Sequence, residues 1–196
     1  MDSQLQTRLN ELYQAGKEND ARQVDRRQKM LNLEPATAQF LSFLVRSSKR
    51  MRILEIGTSN GYSTCWLAWT AQQTGGHVTS IDREEHKHAQ ADANLRRLGL
   101  RERVELRCGD ATEIVASLAG PFDCVFFDAD RYSAPAQLAL LLPKLAPEAL
   151  LLADNAISHP TEIAGYLEAV QALEGFEHMV IPVGKGLSVA YRPTKG

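Results

Sequence analysis

The chain of 196 residues has only three cysteines, no apolar run near the length of a membrane span and no excess of basic charge. Each shortage excludes something. Cys65, Cys108 and Cys124 are an odd number set inside apolar segments, which fits reduced thiols in a cytosolic core and not a disulfide framework or a zinc cluster. A bilayer-spanning helix needs about 18 uninterrupted apolar residues, and none of the runs approaches that. The opening MDSQLQTRLNEL is polar, without the apolar centre of a secretory signal, so a cytoplasmic, soluble protein without a membrane partner is expected. With 22 Lys+Arg against 24 Asp+Glu, the formal charge is -2. The dense basic footprint of a nucleic-acid-binding protein is missing.

What is present is an ordered alternation. Residues 2–30 carry Leu5, Leu9 and Leu12 at helical spacing among Gln, Arg, Asp and Glu, which predicts one or two amphipathic helices. Residues 36–46 repeat the pattern, with Phe40, Leu41, Leu44 and Val45 on one side and Pro35 where a first turn tolerates it. From residue 51, β-type runs at 53–56, 77–82, 103–108, 123–128 and 149–154 are separated by helical stretches at 62–73, 84–98, 111–119, 135–145 and 161–173. Such interleaving implies right-handed crossovers and a parallel sheet covered on both faces. The end differs, because HMVIPV and LSVAYR flank Gly184-Lys185-Gly186 and read as an antiparallel hairpin. The expected fold is α/β, a Rossmann-like seven-stranded sheet, mostly parallel, with a C-terminal antiparallel hairpin. Helices cover both faces. One domain is expected over 1–196, with a helical N-terminal extension at 1–47 and the core at 51–192.

The first strand turns into its helix through Glu55-Ile56-Gly57-Thr58-Ser59-Asn60-Gly61-Tyr62-Ser63. Glycines there let backbone approach a ligand, and the helix start offers free N–H groups. The G-x-G-x-x-G pattern of dinucleotide sites is absent, since no third glycine follows at the required spacing. A tight turn without ligand is the alternative. Asp82 ends the second strand about twenty residues past the loop, where an acid accepts ribose hydroxyls or simply caps a helix. Asp110, after the third strand, either meets an adenine amine or caps the helix beginning at Ala111. All lie at the edge where ligands of open α/β sheets bind.

Strands four and five deliver more acid: Asp128 and Asp130, then Asp154-Asn155. Two carboxylates and an amide oxygen at adjacent strand ends suit a hard divalent cation, Mg²⁺, Mn²⁺ or Ca²⁺. Taken singly, such residues are helix caps and turn formers.

The segments LEIGTSNGYST, SIDREEHKHAQADANLRRLGL, VELRCGDA, FDCVFFDADRY and LLLADNAI, in this order and spacing, resemble the cation-dependent O-methyltransferases. That family includes the catechol and caffeoyl-coenzyme A O-methyltransferases, and the likeness runs over roughly residues 33–192. It implies S-adenosyl-L-methionine as cofactor and a small, catechol-like hydroxyl acceptor as partner. On these positions, Glu55, Gly57, Gly61 and Ser63 hold the methionine portion, Asp82 the ribose, and Asp110 with Ala111 the adenine. Asp128, Asp154 and Asn155 hold the metal, with Asp128 also bordering the cofactor and counted, with Arg131, as catalytic. A homodimer is the base expectation.

The chain departs from that family at Arg131, where the relatives carry a lysine assigned as general base. A guanidinium stays protonated, so Arg131 instead stabilises a phenolate, binds a substrate carboxylate, or lies on the surface. The loop at 156–160 lacks the tryptophan and glycine of plant-type members. His159 in that loop is expected to face solvent, and His86 and His88 have no ligand partner at metal spacing. Tyr62, Trp66 and Trp69 read as packing or dimer surface. Two other readings stay open: a methyltransferase for a non-catechol acceptor without metal, and a non-catalytic protein that binds the methyl donor or its product.

Overall fold

A computed structural model describes residues 1–193. Five strands, β1 (Arg52–Ile56), β2 (His77–Asp82), β3 (Val104–Cys108), β4 (Phe122–Phe127) and β5 (Leu145–Ala153), run parallel. β7 (Leu187–Tyr191) lies antiparallel on β5, and β6 (Glu177–Ile181) closes the edge, giving the order β3-β2-β1-β4-β5-β7-β6. This is the Rossmann-like mixed sheet that the alternation implies.

The apolar runs explain why the sheet is covered twice. Side chains of a strand alternate between faces, so a strand apolar at every position must be buried on both. Ile53, Val78, Cys124, Phe126, Leu150 and Leu152 enter one core, while Leu54, Ile56, Ile81, Val125, Phe127 and Leu151 enter the other. The first core is covered by α1 (Ser3–Arg22), α2 (Pro35–Ser47), α3 (Tyr62–Thr74) and α4 (Glu85–Arg97) through residues such as Leu9, Leu41, Trp66 and Leu95. Val115, Leu138 and Tyr166 cover the second from α5 (Ala111–Ser117), α6 (Ala134–Leu141) and α7 (Pro160–Gln171). Tyr62, Trp66 and Trp69 are buried in the first core, and Tyr62 also borders the cleft at the carboxyl edge of the sheet.

Several boundaries differ from the sequence pattern. The helix expected at 135–145 stops at Leu141, and a 3-10 turn over Leu142–Lys144 replaces its end, because Pro143 has no N–H to donate. β5 starts at Leu145 and shifts register against β4 between Phe122 and Cys124. Asp128 and Asp154 each stand just past a strand end. Cys108 is exposed, not in the core, because β3 is an edge strand. Among the described residues no helix is long and apolar enough to cross a membrane.

Residues 2–30 hold one α-helix, α1, followed by a 3-10 turn over Arg26–Gln28, and the chain after α1 folds back over the carboxyl edge of the sheet. Asp20 accepts from Met30 N (2.6 Å) and Leu31 N (2.8 Å), and Ser59 Oγ donates to Met30 O at 2.6 Å. These bonds bring Asn32, Leu33 and Glu34 to the site.

Candidate active site

The turn after β1 is built for close approach. Gly57 has φ +115°, and a Cβ there would stand 2.3 Å from the Asp128 carbonyl, so only glycine lets the β1 loop pass the end of β4. Gly61, at φ +85°, caps α3, where a Cβ would meet Ala91 at 3.0 Å. Beneath this turn the Glu55 carboxylate is fully buried. It accepts from Ser63 Oγ (2.6 Å), Thr64 Oγ1 (2.5 Å) and Ser80 Oγ (2.6 Å). Burial pushes its pKa up to about 7 against the lowering effect of those three hydroxyls. Asp82 accepts from Ser59 N (2.7 Å) and Glu84 N (3.0 Å), which fixes its carboxylate and leaves lone pairs toward the open side.

One cleft of about 600 Å³ runs along this edge, a size suited to a cofactor-sized ligand. Of the residues singled out from sequence, Gly57, Ser63, Asp82, Ala111, Asp128, Arg131 and Asn155 line it. Glu55 supports the cleft from behind through Ser63. Asp110 points its side chain at its own helix, accepting from Thr112 N (2.8 Å) and Glu113 N (3.2 Å). Asp154, only 3% exposed, shares a smaller cavity with Asp128 and Asn155. His159 is half-buried and lines the cleft, its Nδ1 2.8 Å from Ser158 Oγ, whereas its loop position suggested solvent.

The far end of the cleft gathers charge from four places in the chain. Burial, then the neighbouring Asp154 and Glu55, hold the Asp128 carboxyl well above the usual carboxylate range. Burial raises Asp154 too, with Glu34 adding to it and Lys185 and Arg131 opposing. Lys185 Nζ pairs with Glu34 Oε1 at 3.0 Å, and Arg131, 12% exposed at its side chain, donates to Glu162 Oε2 at 2.9 Å. Arg131 is therefore no surface arginine. Burial works against the charge of Lys185, but Glu34 and then the two aspartates raise its pKa on balance. Asn155, in the left-handed region at φ +69°, donates from Nδ2 to Asp154 Oδ2 (2.9 Å) and accepts at Oδ1 from Ser158 Oγ (3.2 Å).

Four carboxylates, Glu34, Asp128, Asp154 and Glu162, thus meet two cations, Lys185 and Arg131. Buried polar atoms without a partner concentrate here, Asp154 Oδ1, Glu34 Oε2 and Arg131 Nε, and both amide atoms of Asn32, on the cleft wall against Gly16 of α1, are unpartnered too. Buried groups are normally satisfied, so this accumulation marks a place shaped for a ligand. Among the described residues no three of His, Cys, Asp and Glu converge as a metal cluster; the candidate set is two aspartates and one asparagine. Sequence reasoning had not singled out Asn32, Glu34, Glu162 or Lys185.

The family described as "Methyltransferase domain" matches residues 54–156. A catechol O-methyltransferase of Niastella koreensis is 37% identical over 133 residues, 65% of this chain and 59% of that protein. A catechol O-methyltransferase of Mycobacterium tuberculosis is 38% identical over 120 residues, 61% of this chain and 54% of that protein. The chain thus spans less than two thirds of the length of either curated relative. Among solved structures, an O-methyltransferase from Bacillus cereus in complex with SAH superposes with TM-score 0.80 at 28% identity, covering 95% of this chain and 90% of that one. The O-methyltransferase TomG of Streptomyces achromogenes, involved in tomaymycin synthesis and solved with SAM, gives 0.79 at 27%, covering 98% and 91%.

Proposed function

The chain belongs to the methyltransferase domain family, and we propose that it is an S-adenosylmethionine-dependent O-methyltransferase acting on a small, catechol-like diol with a divalent cation. The observation that carries this reading is the continuity of the cleft, which joins Asp82 and the glycine turn to the acidic end at Asp128 and Asn155. The names of the relatives and the SAM and SAH held by structural neighbours support the same assignment.

S-adenosylmethionine, when bound, supplies a methyl group on a positively charged sulfur. Asp82 would accept its ribose hydroxyls, having both carboxylate oxygens already oriented by backbone N–H groups. The passage at Gly57 lets the ligand lie against backbone, and Ser63, held by Glu55, lines the methionine end. Transfer then needs the acceptor oxygen in line with the methyl, so most of the rate gain comes from positioning.

The acidic end fits a hard divalent ion on two grounds. Four carboxyl groups face two cations there, and Asp154 Oδ1 is buried with no partner. Asp128, Asp154 and Asn155 would hold the ion, whose Lewis acidity would ease loss of a proton from the acceptor hydroxyl. Arg131 stays cationic and tied to Glu162, which suits it to charge stabilisation and not to proton abstraction. A metal-free acceptor is the second reading, favoured by the Asn155 to Asp154 hydrogen bond, which lets the pair satisfy part of its own demand.

Calorimetric titration with S-adenosylhomocysteine and with Mg²⁺, followed by methyl transfer to catechol with and without chelator, tests the assignment. Binding of both and chelator-sensitive transfer are expected. Full transfer after chelation, or in Asp154→Ala, would remove the metal and leave the second reading.

A further inference from the structure

Lys185 occupies the tip of the β6–β7 hairpin between two glycines that admit no side chain. A Cβ at Gly184 would lie 2.2 Å from Thr37 Oγ1, and one at Gly186 would lie 2.6 Å from Ile157 N. The turn is stapled to the loop after β5. The Lys185 carbonyl accepts from Ile157 N and Ser158 N, both at 3.0 Å, and the Gly186 carbonyl accepts from Ala156 N at 2.9 Å. A long, flexible side chain is thus carried on a fixed backbone, at the loop that presents Asn155.

Its ammonium has spare capacity. Glu34 Oε1 takes one contact at 3.0 Å, while an ammonium has three protons to donate. Lys185 lines the same cleft as Asp128 and Asn155, and the charged groups that act on it are Glu34, Asp128 and Asp154. Arg131, the other cation at this end, is differently placed, since one terminal nitrogen is committed to Glu162 and its Nε is enclosed. Of the two, Lys185 is the cation free to follow an oxygen that changes charge.

We propose that Lys185 is a catalytic residue of this cleft, its ammonium contacting the reacting oxygen of the acceptor and stabilising it as an oxyanion. The inference rests on the reading above, that the cleft takes a diol and a methyl donor. The hydroxyl proton leaves to water through the open cleft, and the oxygen forms its bond to the methyl carbon. The carbon–sulfur bond breaks with its pair returning to sulfur, which ends as a neutral thioether. Lys185 stays protonated throughout. Stabilising an oxyanion raises its population more than it lowers its nucleophilicity, so the benefit is large for a hydroxyl that is un-ionised at the assay pH. It is small for one already ionised.

That contrast provides the test, in the full chain at saturating Mg²⁺. With catechol, Lys185→Met should lower kcat about 100-fold, the loss typical of one oxyanion donor, and Lys185→Arg should recover most of it. With a nitrocatechol, already ionised near neutral pH, the loss in Lys185→Met should shrink to a few-fold. Equal losses on both acceptors, or none, would overturn the proposal. A second measurement needs no turnover: the visible absorption of nitrocatechol bound with S-adenosylhomocysteine reports its ionisation, which in Lys185→Met should move up by about one pH unit. An unmoved ionisation rejects Lys185 even if the wild type transfers no methyl group, a result that would reject the functional reading instead.

Discussion

The two ends of the cleft handle their carboxylates in opposite ways. At the β1–β2 end every oxygen of Glu55 and Asp82 has a donor from the fold itself, from hydroxyls for Glu55 and from backbone N–H groups for Asp82. At the β4–β5 end Asp154 Oδ1 and Glu34 Oε2 have none, and burial and then the nearby Asp154 disfavour the charged form of Asp128. A buried polar group without a partner costs free energy, so the first end is shaped by folding while the second keeps bonding capacity for what arrives. Removing a carboxylate should therefore harm the fold at one end and relieve it at the other.

The largest effect is expected at Glu55. Glu55→Ala leaves three buried hydroxyls without their acceptor and should cost about 3 kcal/mol in denaturant unfolding. The same residue predicts a pH dependence. Its folded-state pKa of about 7 lies above the ordinary 4.5, so the folded state holds the proton more tightly and its contribution is lost as pH rises between those values. The loss approaches roughly 3 kcal/mol at about 1.4 kcal/mol per unit. Glu55→Gln, neutral throughout, should flatten that part of the profile; an unchanged slope would show that Glu55 is ionised across the range.

Asp154→Asn should act in the opposite direction. It removes a buried charge next to Asp128 and Glu34 while keeping the shape, and should raise the stability of the ligand-free protein at pH 8 by about 1 kcal/mol. It should also abolish any stabilisation by Mg²⁺ in thermal unfolding. A variant less stable than wild type without metal would break the contrast between the two ends.

How far the sequence displays this contrast depends on what is local. Runs such as residues 53–56 and 149–154 are apolar at nearly every position, which is the signature of a doubly covered strand, and each ends at a polar residue on the ligand edge. Asp82, Asp128 and Asn155 are legible for that reason. The loop from Gly57 to Gly61 is legible because its glycines follow a strand directly. Lys185, Glu34 and Asn32 are not, since they meet the site only through the hairpin and the fold-back of the extension. One signal for Lys185 was available: a strand antiparallel to β5 must begin at the carboxyl end of β5, so the turn before it falls at the ligand edge. Glu34 has no such signal, because the path of residues 23–34 is set by Asp20 and Ser59, whose partners are backbone groups.

Asp110 gives the smallest and sharpest test, because its pattern admits two roles and its side chain performs one. The bonds to Thr112 N and Glu113 N make it the N-cap of a helix of seven residues, where propensity alone contributes little. Asp110→Ala should cost about 1 kcal/mol, the usual value of a lost cap. Asp82 also bonds backbone, but it lines the cleft and each of its oxygens keeps a lone pair, so Asp82→Ala should weaken S-adenosylhomocysteine binding about tenfold or more. At a temperature where both variants are folded, calorimetry should rank the affinity losses with Asp82 far ahead. The reverse order would mean that the Asp110 carboxylate leaves its helix to meet the ligand, and that a group satisfied by the fold can still be spent on binding.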